Sequence, residues 1–213
     1  MTTQLHTMSC QAFVLGGNIG SGKTTACKAV AEALDACYVP EPVEEWRSSG
    51  KLQAFYDDPV SNGYDFQTYA MLSRISALNA RLAQWRHAHD GSNPEILILD
   101  RWLDDDMAFG KVTHENGNMT AEQFDQYCKE HAKAKRQTGG GLLKSLKTIW
   151  LNASPKTCLD RLNRRGREEE HGITLDYLQA LENAKLKTDF TVDAEDHTAA
   201  DVAQRIIDII RRA

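Results

Sequence analysis

No stretch of this 213-residue chain approaches the ~18 consecutive apolar residues that a spanning helix needs, so a membrane is not an expected partner. An excess of positive charge is missing too. The 25 Lys and Arg stand against 30 Asp and Glu, a net charge of −5, and no nucleic acid is expected to bind. Cysteine is scarce and odd in number: Cys10, Cys27, Cys37, Cys128 and Cys158, with no C-x-x-C. That excludes a disulfide framework or a zinc ribbon and points to reduced thiols in a cytoplasmic compartment, with Cys27 and Cys37 in the core. The seven histidines form no H-E-x-x-H, and His87 and His89 read as surface residues. There is no internal repeat, low-complexity tract or linker, so residues 12–213 read as a single domain. Residues 1–11 hold neither the apolar core nor the Lys and Arg of a targeting segment and are expected to fray.

What the chain does have is Gly17-Asn18-Ile19-Gly20-Ser21-Gly22-Lys23-Thr24, the G-x-x-x-x-G-K-T of a phosphate-binding loop. Glycines let backbone N–H groups turn inward on phosphate oxygens, Lys23 brings a point charge to the outer phosphates, and the Thr24 hydroxyl can ligate Mg²⁺. The apolar run Ala12-Phe13-Val14-Leu15 precedes it as a strand, and the helix-forming segment 24–34 follows it, so phosphates would meet a helix N-terminus.

Strands then alternate with helices. Five are expected, at 12–16, 36–39, 96–99, 146–151 and 190–192. The pattern predicts an α/β fold, a doubly wound five-stranded parallel sheet flanked by helices, with an Arg-rich lid over 161–172. Short helical pieces fill 43–60. A long helix over 64–85 shows Leu72, Ile75, Leu78 and Leu82 at the spacing of a buried face. Another begins near Asp104, Thr120-Ala121-Glu122-Gln123 opens a third that runs to about 135, and Gly139-Gly140-Gly141 reads as a flexible joint. Ser154-Pro155 starts a helix, and the last spans 198–212.

Three features carry charge to the expected ligand side of the sheet. Glu41 lies just past the second strand, where open α/β sheets bind ligands. Asp100 ends the clearest buried strand, and a carboxylate there reaches the Mg²⁺ held by the loop threonine. Arg161, Arg164, Arg165 and Arg167 form a cluster suited to closing over phosphates, because the planar guanidinium binds them bidentately.

In these motifs the chain resembles the deoxyribonucleoside kinase family. The resemblance runs over about 13–178 and rests on order and spacing: the GNIGSGKTT loop, Glu41-Pro42-Val43 with Trp46, Phe55-Tyr56 with Pro59, Phe66-Gln67-Thr68-Tyr69-Ala70, Leu72-Ser73-Arg74, Asp100-Arg101, and Arg165-Gly166-Arg167 with Glu169-Glu170. It implies a P-loop kinase fold and transfer of the γ-phosphate of ATP, with Mg²⁺, to the 5′-hydroxyl of a deoxynucleoside. By the same resemblance Glu41 is the base, with Arg101 and Lys23 beside it, and the loop through Thr25 plus Arg161, Arg165 and Arg167 hold the donor. Thr24 and Asp100 serve the metal. Trp46 and Phe66 line the base pocket, Gln67 pairs with the base edge, and Tyr56 and Glu170 hold the sugar 3′-hydroxyl. The donor adenine falls near 193–197. Arg74 and Asp106 match the pair of the deoxycytidine and deoxyguanosine kinases, and thymine would bring a carbonyl to the carboxylate and a methyl to Arg74, so deoxyadenosine, deoxyguanosine or deoxycytidine is expected over thymidine. The resemblance also implies a homodimer through the long helix and the one beginning near Asp104.

The chain departs from the family at three places. Asp100-Arg101-Trp102 stands where Glu-Arg-Ser is usual. The family's base-stacking aromatic aligns with Gly110, beside Phe109, which means either a one-residue helix shift or a more open pocket. Past Leu178 the family pattern is lost. A nucleoside monophosphate kinase shares the loop, the Asp-Arg pair and a lid, and a non-catalytic structural member shares the fold; supplying a monophosphate separates the first, and the presence of Glu41, Lys23, Arg101 and the lid arginines speaks against the second.

Overall fold

The computed structural model describes residues 10–138 and 141–213, the Glu169 side chain excepted. One sheet holds β1 (Gln11–Gly17), β2 (Cys37–Val39), β3 (Ile96–Asp100), β4 (Lys147–Asn152) and β5 (Phe190–Asp193) in the order β2-β3-β1-β4-β5, all neighbours parallel. Its helices are α1 (Lys23–Leu34), α2 (Val43–Ser48), α3 (Lys51–Asp57), α4 (Pro59–Ala88), α5 (Leu103–Glu115), α6 (Ala121–Thr138), α7 (Pro155–Arg165), α8 (Leu175–Ala184) and α9 (Ala199–Arg212).

Strand residues alternate between two cores because successive side chains leave opposite faces. Phe13, Leu15, Ile98 and Ile149 pack with Cys27 and Val30 of α1 and Ile206 and Ile210 of α9. Val14, Leu97 and Leu99 pack on the other side with Met71, Leu78 and Leu82 of α4 and with Trp102 and Leu103. Both faces are covered, which is why the strands read as continuous apolar runs. Trp102, unexplained in the sequence, is a core residue at 5% exposure.

Several boundaries differ from expectation. Cys10 is buried and Gln11 opens β1, so the frayed tail does not extend to them, and the rest of that expectation lies outside the described residues. The Gly139-Gly140 part of the joint lies outside them too, and Gly141–Leu143 is a 3-10 turn. The long helix starts at Pro59 because Asp58 accepts from the Ser61 N–H and the proline fixes the first turn. Leu72 is 53% exposed rather than buried; the inward face of α4 runs instead through Met71, Arg74, Leu78 and Leu82. The helix α8 was not foreseen, although Thr174 caps it by accepting from the Tyr177 N–H, and Leu178 and Leu181 point inward. Of the two helices expected at a dimer face, α4 leaves Leu72 exposed, and α5 packs on α4, α6 and α8 while leaving Lys111 and Glu115 in solvent.

Candidate active site

The carboxyl ends of β1, β3 and β2 converge, as the strand order requires, on one cavity of about 350 Å³. The phosphate loop forms its floor. Gly20, at φ +84°, passes so close to α7 that a Cβ would sit 2.6 Å from the Cys158 carbonyl oxygen. Gly22, at φ +96°, leads into α1 with nothing within 4 Å of where a Cβ would be, which leaves an open cradle over the helix N-terminus. Ile19, Gly20, Gly22, Lys23, Thr24 and Thr25 line the cavity. Gly17, Asn18 and Ser21 lie behind it: the Gly17 carbonyl accepts from Lys23 at 2.9 Å and from Arg101 at 3.2 Å, and Asn18 donates to the Leu178 carbonyl at 2.8 Å. Burial, with Arg101 adding to it, lowers the Lys23 ammonium to about 8.

Glu41, past β2, faces Arg101, past β3. Arg101 Nη1 stands 2.9 and 3.1 Å from the two Glu41 oxygens, and Arg74 Nη2 of α4 donates to Oε1 at 2.7 Å. Burial alone would raise the Glu41 carboxyl, but Arg101, Arg74 and Lys23 outweigh it and hold the group at about 2. Arg101 occupies the left-handed region at φ +65°, a conformation that costs a non-glycine residue about 1 kcal/mol or more and is kept where the surroundings fix it. Its N–H bonds the Leu15 carbonyl at 3.2 Å and its side chain bonds Glu41 and Gly17, which supply that constraint.

Aromatic rings build the far wall. Trp46 meets Phe66 edge-on, centroids 5.7 Å apart, and Phe66 stacks on Phe55 at 4.8 Å. Trp46 is fixed by its N–H to Ser73 Oγ, 2.7 Å away, and the Arg74 guanidinium lies over its ring at 4.9 Å. Gln67 borders the same end and donates to Thr113 Oγ1 at 3.2 Å. Arg74 donates through Nε to Asp106 Oδ1 at 2.7 Å, so the two residues expected as a pair are one, both buried. Sequence reasoning did not assign Phe55, Phe109 or Tyr177 to the site, yet all three line the cavity with Tyr56. The Arg101 guanidinium lies 4.9 Å from the Phe109 ring centre. Phe109 faces the cavity while Gly110 faces α6, and this resolves the two alternatives at that position.

The lid arginines divide. Arg165 and Arg167 border the cavity, and both bond Glu170, Arg165 through Nε at 3.0 Å and Arg167 at 3.4 Å. Arg161 does not line the cavity. Its donors go to the carbonyls of Ala194 at 2.7 Å, Glu195 at 3.0 Å and Ser21 at 3.4 Å, joining the phosphate loop to the segment after β5. Glu195 in turn accepts from Ser154 at the start of α7, so that segment is fastened from both sides.

The polar atoms left without partners show what the cavity is made for. Of the eight buried side-chain atoms without a partner among the described residues, four belong to its lining: Asp100 Oδ1, Arg101 Nε, Arg74 Nη1 and Asp106 Oδ2. Asp100 Oδ2 accepts the Thr24 hydroxyl at 2.6 Å, and burial with the Glu41 charge pushes its carboxyl up. A hydroxyl and a carboxylate with a free oxygen are the hard ligands Mg²⁺ takes, and a cation would relieve that strain. No group of three or more His, Cys, Asp or Glu able to cage a metal occurs among the described residues, so water and phosphate oxygens would complete the coordination.

A family model for deoxynucleoside kinases matches residues 13–208. Deoxycytidine kinase 2 of Gallus gallus is 31% identical over 189 residues, covering 78% of this chain and 68% of its own length. Human deoxycytidine kinase is 33% identical over 189 residues, 78% of this chain and 70% of the relative. Among solved structures, deoxyadenosine kinase from M. mycoides with bound dCTP superposes with a TM-score of 0.77 at 22% identity, covering 95% of this chain and all of that one. With the match spanning both the phosphate loop and the aromatic-walled end, the chain belongs to the deoxynucleoside kinase family.

Proposed function

We propose that this enzyme transfers the γ-phosphoryl group of ATP to the 5′-hydroxyl of deoxyadenosine, deoxyguanosine or deoxycytidine in preference to thymidine. One observation carries the reading: a single cavity is lined by Lys23 and Thr24 and by Trp46, Phe66 and Gln67, and Glu41 in the same lining feels the Lys23 charge and bonds Arg74, which lies over Trp46. Glu41 accepts the 5′-hydroxyl proton as the oxygen bonds to phosphorus and the bond to the β-phosphate oxygen breaks. A carboxylate held near 2 is a weak base. Its value lies in staying ionised and aimed, because the proton of an attacking hydroxyl moves late in a loose phosphoryl transfer. Arg101 keeps Glu41 in place, and Lys23, Arg165 and Arg167 neutralise phosphate charge. Thr24 and Asp100 would hold Mg²⁺, which supplies further charge neutralisation when bound.

Tyr56 and Glu170 are proposed to take the sugar 3′-hydroxyl. Arg74 and Asp106 read the base, their free Nη1 and Oδ2 offering one donor and one acceptor. Five free cysteines suit a cytoplasmic enzyme, and a homodimer would use the outward faces of α4, where Leu72 is exposed, and of α5. The test is kcat/KM on the four deoxynucleosides and on a deoxynucleoside monophosphate. Preference for thymidine overturns the base assignment, and turnover of the monophosphate alone overturns the nucleoside assignment.

A further inference from the structure

We infer that Tyr127 is a positioning residue for substrate selection: across the helix boundary it sets where Asp106 stands. The inference rests on the reading that Arg74 and Asp106 choose the base.

Tyr127 lies on α6, fully buried, and its hydroxyl donates to the Asp106 carbonyl at 2.9 Å. Its ring packs against the bare backbone of Gly110, one turn further along α5. A Cβ at 110 would stand 2.4 Å from Cε1 and 3.0 Å from Cδ1 and Cζ. Glycine inside a helix is destabilising on its own, so its presence here needs such a close approach. The next turn of α6 repeats the arrangement, with His131 Nε2 2.5 Å from the Leu103 carbonyl. Tyr127 and His131 are four residues apart and share one face. Each uses a spare lone pair of a carbonyl in the first turn of α5. That turn carries Asp106, whose carboxylate has one oxygen on Arg74 at 2.7 Å and the other buried without a partner. A carboxylate with one free oxygen discriminates only while its distance to the base is fixed, since a looser site accommodates the wrong pattern of donors. The Tyr127 hydroxyl fixes that distance from outside the cavity, whose lining it does not join.

Tyr127→Phe keeps the ring on Gly110 and removes the donor. The expected result is a loss of about fivefold to tenfold in the ratio of kcat/KM for deoxycytidine over thymidine, the worth of about one buried hydrogen bond, arising in the acceptor KM with the ATP KM unchanged. A packing role alone would lower Tm and leave the ratio at the wild-type value, and that outcome overturns the inference. If Tyr127→Phe does not fold, His131→Leu should lower the same ratio and His131→Gln, which keeps a donor, should restore it; equal ratios in both overturn the inference. Asp106→Asn separates the two levels. If wild-type enzyme discriminates and Asp106→Asn does not, base reading stands and Tyr127 alone is on trial. If Asp106→Asn discriminates like wild type, base reading fails and this inference fails with it.

Discussion

Arg74 donates to Glu41 through Nη2 and to Asp106 through Nε, each at 2.7 Å, so one buried guanidinium joins the carboxylate proposed as the base to the carboxylate proposed to read the nucleobase. Selection and turnover therefore share a part. Arg74→Gln should lower kcat and raise the acceptor KM together, because it frees Glu41 while unpairing Asp106. Asp106→Asn leaves Arg74 and Arg101 on Glu41 and should act mainly on KM and on base preference. Steady-state kinetics of both variants on deoxycytidine and thymidine check this, and a pure KM effect from Arg74→Gln would disprove the shared role. Removing one member of a buried charged cluster costs about 3–5 kcal/mol, so Arg74→Gln should also melt well below wild type in calorimetry.

Glu41→Gln tests the proton acceptor. The amide keeps the size but cannot take a proton, and kcat should fall by about 100- to 10,000-fold, the usual span for a general base. Arg101 and Lys23 remain, so nucleotide affinity measured by titration calorimetry should stay close to wild type. The acid side of the profile gives an independent check. Glu41 is held at about 2, below its ordinary 4.5, and is therefore still ionised at pH 4. The stability this provides is fully present above 4.5 and is lost progressively as pH falls from there through 2. Because Glu41 stays ionised throughout pH 5 to 6, a fall in kcat/KM in that range must come from another group and should persist in the variant.

Asp100 and Thr24 make a prediction about metal. Chelating Mg²⁺ should abolish turnover, and adding it back should restore it. Asp100→Asn keeps an acceptor for the Thr24 hydroxyl but loses the charge, so the Mg²⁺ needed for half-maximal rate should rise about tenfold, the effect of about one charge-assisted contact. An unchanged Mg²⁺ requirement would remove Asp100 from the metal site.

The central site was legible because its parts are local signals with fixed geometry. The glycine loop, Asp100-Arg101 after a buried strand, and Glu41 after a short one each sit at a strand end, and the order β2-β3-β1 brings those ends together. The five strands were legible for the same reason, being apolar runs covered on both faces. What could not be read was contact between elements distant in sequence. Gly110 left open a one-residue helix shift or a more open pocket because Tyr127, which packs against it, comes from another helix. Arg161 looked like a phosphate ligand because sequence gives no sign that the carbonyls of Ala194 and Glu195 reach it first. Leu72 fell into a 3.6-residue stripe, yet the packed face of α4 is rotated to place Arg74 and Gln67 in the cavity.

Lys23 ties nucleotide affinity to pH in a direction opposite to a surface lysine's indifference. In the empty protein its ammonium sits at about 8, lowered chiefly by burial and next by Arg101. Bound phosphates bring negative charge to it and raise that value, so binding takes up a proton once the pH exceeds 8. ATP affinity should therefore be flat between pH 6 and 7.5 and weaken by up to about tenfold per pH unit above 8, one proton per binding event. Calorimetry in buffers of different ionisation enthalpy reads that proton directly. Lys23→Arg keeps a charge that does not titrate in this range and should bind with little dependence on pH, even where its affinity is lower. Equal slopes for the two proteins would show that the proton belongs elsewhere, and would leave Lys23 charged in the empty loop.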